Sequence, residues 1–178
     1  MTKNEFALLV DCMVETYGVH SYLNNEDDIE ENNLWFECKV KYQKTLENGA
    51  VKQVNEPYLV DALNFTEAER RIIEEITPYM TGIFEVSDIK RARYAEIIES
   101  SEEKADRFFR AKLVFIVLDE KSGKEKKTTQ NILVQAADLP DALQKLEAAM
   151  KGTAMDYSIA SLAETLIMDI FHYKPAEN

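Results

Sequence analysis

The side chains that could carry chemistry are few, and their spacing argues against most of it. The histidines are His20 and His172, near opposite ends of the chain, and the cysteines are Cys12 and Cys38. None is paired in the Cys-x-x-Cys manner of tetrahedral metal centres, so no metal ligand is expected among them. The run from Asn24 to Asn33 is dense in oxygen donors. An EF-hand loop needs Gly at its sixth position and Glu at its twelfth; neither is present, and a solvated acidic linker is the expectation. The five glycines, Gly18, Gly49, Gly82, Gly123 and Gly152, stand alone. A phosphate-cradling loop needs several together so that backbone amides converge on one anion. There is no Gly-x-Ser-x-Gly elbow and no credible Ser/His/Asp order. No catalytic residue and no cofactor are therefore expected, and the chain reads as non-enzymatic.

The basic residues offer more. Lys39 and Lys112 hold the same place in two matching segments, and Lys41, Lys44 and Arg110 extend the row. Lys90, Arg91 and Arg93 cluster further along, while Lys121, Lys124, Lys126 and Lys127 crowd a turn against one acid, Glu125. Strands bearing such cations beside Trp35, Tyr94 and Phe108 would suit a groove for single-stranded nucleic acid, where backbone charge and base stacking share the binding. The candidates for that role are Lys39, Lys41, Lys90, Arg91, Arg93, Arg110, Lys112, Lys126 and Lys127. The ordinary reading competes. Cations are common on the wet face of a sheet, lysines on edge strands discourage aggregation, and such aromatics more often fill a core. Residues 1–34 carry eight acids and one base, −7 of the chain's −12. The remainder is near balance and slightly negative, unlike most nucleic-acid binders. The acidic segment could mimic nucleic-acid charge, cover a basic face, or serve as a solubilising connector.

These side chains need elements to position them. A hydrophobic content of 46% over 178 residues is enough for a core. No apolar stretch approaches the roughly 18 residues of a membrane span. Phe6–Val10 runs straight into Asp11 with no small-residue cleavage site, so no secretory signal is expected. Two cysteines make no disulfide framework, and buried reduced thiols in a cytoplasmic protein are the expectation.

An internal repeat sets the architecture. Trp-Phe-Glu-Cys-Lys-Val-Lys-Tyr (35–42) matches Phe-Phe-Arg-Ala-Lys-Leu-Val-Phe (108–115), and Tyr58–Phe65 matches Ile132–Leu139. Each unit opens with period-2 alternation, Phe36, Cys38, Val40 and Tyr42 on one face and Glu37, Lys39 and Lys41 on the other. A Gly-containing turn makes a hairpin with the next strand. Asn64 and Asp138, each with an acid three residues on, read as helix N-caps, with Pro140 tolerated in the first turn. Ala68, Ile72 and Ile76, and likewise Ala142, Leu146 and Met150, form the buried stripes, and Gly82 and Gly152 mark the exits. A closing extended segment follows over 83–98 and 154–171, as one bulged strand or two short ones. In the second unit Phe108, Val114 and Ile116 make the opposite strand face apolar too, which suggests cover on both sides, with the N-terminal helix as the candidate cover. The expected fold is α+β: two tandem β-β-α-β repeats related by a pseudo-twofold, plus an N-terminal helix. Residues 1–33 hold that helix and the acidic linker, 34–104 and 105–173 the two units, and 174–178 a tail, in one compact domain.

The segments Trp35–Tyr42, Glu56–Ala62, Phe65–Glu69 and Glu120–Lys127 resemble the family known as domain of unknown function 4494, over roughly residues 34–171. That family occurs in gut Bacteroidota, their prophages and related phages. The resemblance implies a mobile-element setting and supplies no catalytic residue. The expected function is a non-enzymatic interaction module acting through a protein partner or self-association, with no membrane. The alternatives are a single-stranded nucleic-acid-binding accessory protein of phage replication or recombination, and an acidic inhibitor of host defence.

Overall fold

The computed structural model describes residues 34–118 and 123–173. The expected N-terminal helix and acidic linker, with Cys12 and His20, lie outside these residues. So do Lys121 and the tail.

The chain begins with a hairpin of β1 (Leu34–Thr45) and β2 (Val51–Ala62). Its turn closes at Gly49, whose φ of 78° suits a residue without a Cβ. The alternation read from the sequence holds: Phe36, Cys38 and Val40 are buried on one face of β1. Helix α1 (Phe65–Ile76) follows. Asn64 Oδ1 accepts from the Glu67 N–H, and Glu67 Oε2 accepts from the Leu63 N–H, satisfying two amides the helix leaves open. Ala68, Ile72 and Ile76 pack on Phe36, Cys38, Val40 and Val60. Burying each larger aliphatic side chain stabilises the fold by about 1.5–3 kcal/mol. A 3-10 turn (Thr77–Tyr79) and Gly82 lead into β3 (Phe84–Ala92), which pairs antiparallel with β1.

The second half repeats these element types. β5 (Arg107–Leu118) and β6 (Glu125–Ala136) pair antiparallel, α2 (Leu139–Ala149) follows, and β7 (Tyr157–Glu164) pairs antiparallel with β5. Asp138 Oδ1 accepts from the Asp141 N–H and Asp141 Oδ2 from the Ala137 N–H. Ala142, Leu146 and Met150 pack on Phe109, Ala111, Leu113 and Val134. Register shifts fall between Lys39 and Val40 where β1 meets β3, and between Lys112 and Leu113 where β5 meets β7.

Each closing segment divides in two. After β3 comes β4 (Glu96–Ile98), which crosses to run parallel to β6; after β7 comes β8 (Ile170–Phe171), which crosses to run parallel to β2. The sheets therefore read β3-β1-β2-β8 and β4-β6-β5-β7, two four-stranded mixed sheets with one helix each. Ile97 lies beside Leu133 and Ile170 beside Leu59. These four, with Phe108, Ile167, Trp35 and Tyr94, form an apolar junction tying the sheets together.

Cover is expected on both faces of the second sheet, and the N-terminal helix expected to supply it lies outside the described residues. Phe108 is 3% exposed, but it is buried in that junction, and Ile116 on the same face is exposed among the described residues. Alternation puts Phe108 and Ile116 on one face, and among the described residues the junction covers only the end beside the crossing strand.

Candidate interaction surface

The cations at matching places in the two sheets meet different neighbours. On the first sheet, Lys39 lies opposite Asp88 and Lys41 opposite Glu85. Lys39 Nζ is 3.8 Å from Asp88 Oδ2, Lys41 Nζ donates to Glu85 Oε1 at 2.8 Å, and Lys90 Nζ stands 3.1 Å from Asp88. The hydrogen bond from Lys90, with the charges of Lys90 and Lys39, holds the Asp88 carboxyl below its ordinary range. On the second sheet, Arg110 lies between Ala163 and Leu133, and Lys112 between Ser161 and Asn131. No ion pair joins either to a carboxylate among the described residues.

The nine sequence candidates thus divide. Lys39, Lys41 and Lys90 are on the first sheet's outer face and are neutralised there. Arg110, Lys112 and Lys127 share the outer face of the second sheet, with Lys127 opposite Ile116 at the far end, roughly 13 Å along the strand from Lys112. Lys126, its neighbour on β6, points to the other face. Arg91 lies opposite Phe36 and so is on the helix side of the first sheet, and Arg93 follows the end of β3. Trp35, Tyr94 and Phe108 belong to the apolar junction, with Trp35 edge-on to His172 at 5.2 Å. They pack inward and do not form a row of exposed rings on which bases could stack.

The strand outside Arg110 and Lys112 is β7, the outer strand of its sheet. Its residues Tyr157 to Ala163 carry no charge. The outer strand of the first sheet, β3, carries Glu85, Asp88, Lys90 and Arg91. Charges on an edge discourage another chain from pairing with it, so the two edges are protected to different degrees. At the turn end of the first sheet, an open groove of about 610 Å³ is lined by Lys41, Tyr42, Gln53, Met80, Ile83 and Phe84.

Three polar arrangements were not anticipated from the sequence. Arg71 is buried; it donates to the Asp61 carbonyl at 2.7 Å, to Asp61 Oδ1 at 2.9 Å and to Glu67 Oε1 at 2.7 Å. Its guanidinium sits 4.0 Å from the Tyr173 ring centroid, just beyond β8. In the second half Lys145 donates to Asp141 Oδ2 at 2.9 Å and to Ser100 Oγ at 3.1 Å, just beyond β4. Each helix cation thus clasps the segment that follows the strand crossing over from the other half. Glu67 is held below its ordinary value first by the Leu63 N–H, and Asp141 first by the Ala137 N–H and then by Lys145. The readable signal was the pair of i,i+4 acid–base spacings, Glu67/Arg71 and Asp141/Lys145.

The third arrangement joins Tyr42 and Tyr58, whose hydroxyls donate to Glu56 Oε2 at 2.9 and 3.0 Å. Burial, then the bond to Glu56, pushes Tyr42 up to about 12 and raises Tyr58 as well. These phenols stay protonated and serve as donors. Cys38 is buried and pushed by burial up to about 12, which makes it an inert thiol. His172 pairs with Glu99 at the surface, and no group of three metal-ligating side chains occurs among the described residues. No helix among them is long and apolar enough to cross a membrane.

Comparison with known proteins adds one finding: the family model described as Domain of unknown function (DUF4494) matches residues 34–173. No curated protein and no solved structure matches.

Proposed function

The chain belongs to the DUF4494 family, and on that premise we propose that it is a non-enzymatic interaction module working through protein–protein contacts. The observation that carries this reading is the second sheet's outer face. There Arg110 and Lys112 stand without a carboxylate among the described residues, beside an outer strand with seven uncharged residues. Cations left unpaired next to an open edge suit contact with a partner of opposite charge. The two halves are tandem copies of one β-β-α-β unit related by a pseudo-twofold. The matched register shifts and the paired crossings of β4 and β8 support that reading. Duplication explains why the sheets share a scaffold, and divergence why they present different surfaces. The setting is the mobile-element one that the family resemblance implies.

Single-stranded nucleic-acid binding is the second reading, favoured by the same Arg110 and Lys112, which meet no carboxylate among the described residues, and weakened by the inward packing of Trp35, Tyr94 and Phe108. A photo-crosslinking amino acid placed at Ser161, with Ser87 on the first sheet as control, tests both in the native host. The expected result is a recurrent protein adduct from position 161 that is absent from position 87. Nuclease-sensitive adducts from 161 would replace protein contact with nucleic acid, and equal labelling from both positions would remove the special role of the second sheet.

A further inference from the structure

We infer that β7 accepts an extended segment of a partner protein as a fifth strand, and that this segment carries carboxylates on the face it shares with Arg110 and Lys112. The inference rests on the reading of the second sheet's outer face given above and names the partner's chemistry.

Strand addition needs an edge whose amides and carbonyls face outward. The Thr165 N–H donates to the Phe108 carbonyl, so Thr165 turns its polar groups toward β5. Antiparallel pairing alternates along the strand, so Leu162 and Glu164 turn theirs away from β5. No described strand pairs with that side of β7. Between Tyr157 and Ala163 no charged side chain would have to be desolvated by an incoming strand. The edge of β3 differs, because Asp88 and Lys90 there already form an ion pair.

The chemistry of the added strand follows from what flanks β7 on each face. On the outer face, β7 presents Ser161 and Ala163, whose small side chains screen nothing, directly beside Lys112 and Arg110. A fifth strand would lie two strand spacings, roughly 10 Å, from β5. A Lys or Arg reaching outward and a Glu reaching back can span that gap over residues as small as Ser and Ala. On the helix face the neighbours are apolar. Leu139 and Leu143 are exposed one turn apart on the flank of α2 opposite Asp141 and Lys145, and Leu162 is half-buried beneath. An alternating strand, acidic on one face and aliphatic on the other, complements both surfaces. An oligonucleotide would match the cations but could form no ladder with β7 and would leave the leucines uncovered.

The test uses the full chain and three fluorescent ten-residue probes: alternating Val–Glu, alternating Val–Lys, and Val–Glu with every Val amide N-methylated. Anisotropy titrations are expected to show binding of Val–Glu alone. Arg110→Glu with Lys112→Glu should weaken it at least about tenfold and turn the preference toward Val–Lys. Lys39→Glu with Lys41→Glu should leave it unchanged. Equal binding of the N-methylated probe would overturn strand addition while leaving a charge-reading surface in place. No binding of Val–Glu would also overturn it, and the adduct from position 161 then decides separately whether the surface contacts protein. Binding of an oligothymidine probe that is lost with Arg110→Glu, and no binding of Val–Glu, would assign the face to nucleic acid and overturn the inference.

Discussion

The two sheets share hairpin, capped helix, antiparallel outer strand and parallel crossing strand, yet their outer faces are finished oppositely. In the first, register sets Lys39 against Asp88 and Lys41 against Glu85. In the second, the same scaffold sets Lys112 against Ser161 and Arg110 against Ala163. Stability does not explain the difference, since exposed ion pairs contribute little. Two sheets of the same strand pattern therefore differ, among the described residues, in whether their outer-face cations meet carboxylates, and the outer-strand side chains decide it.

The largest expected asymmetry lies in the clasps. Arg71→Met removes the buried cation that bridges Asp61, Glu67 and the Tyr173 ring and should destabilise by about 3–5 kcal/mol in urea unfolding. Lys145→Met removes a partly exposed lysine and should cost about 1 kcal/mol. Equal losses would mean the halves are held alike.

Alkaline pH offers a second contrast. Tyr42 and Tyr58 hold their protons more tightly folded than unfolded, with Tyr42 raised from 10.0 to about 12. The stability they contribute is complete below pH 10 and falls as pH rises through 12. At the matching places of the second sheet stand Phe115 and Ile132, which do not titrate. Hydrogen exchange between pH 9 and 12 should loosen β1 and β2 before β5 and β6, and Tyr42→Phe with Tyr58→Phe should abolish that order. In acid the sign reverses. Glu67 and Asp141 have lowered values when folded, so the stability they add is present above the ordinary carboxylate range and fades as pH falls through it toward those values.

The helices should not differ. Asn64→Ala and Asp138→Ala each remove a cap bond and should each cost about 1 kcal/mol by thermal unfolding. A clear inequality would extend the difference beyond the outer faces. The smallest effect is expected at Lys41→Ala, below about 1 kcal/mol and vanishing at high salt, because the Glu85 pair is exposed.

Much of this was legible from residue order. Alternation in Phe36–Tyr42 placed the buried face, the Asn64 and Asp138 caps placed the helices, and Gly82 and Gly152 their exits, because each signal acts over a few residues. The candidate surface was legible only in part. Arg110 and Lys112 stood out as cations, but so did Lys39 and Lys41. Nothing local said that the latter would be neutralised, since Asp88 and Glu85 come from a strand more than 40 residues away. Trp35, Tyr94 and Phe108 looked equally suited to stacking or to a core.

Sequence by itself determined the strands, the turns, the helix caps and the α+β class, since these depend on backbone geometry and short-range hydrogen bonding. Tertiary structure alone decided that Glu96–Ile98 and Ile170–Phe171 cross to the opposite sheets, and which cations meet a carboxylate among the described residues. Both depend on long-range register, where a shift of one residue turns a side chain to the other face and exchanges one neighbour for another.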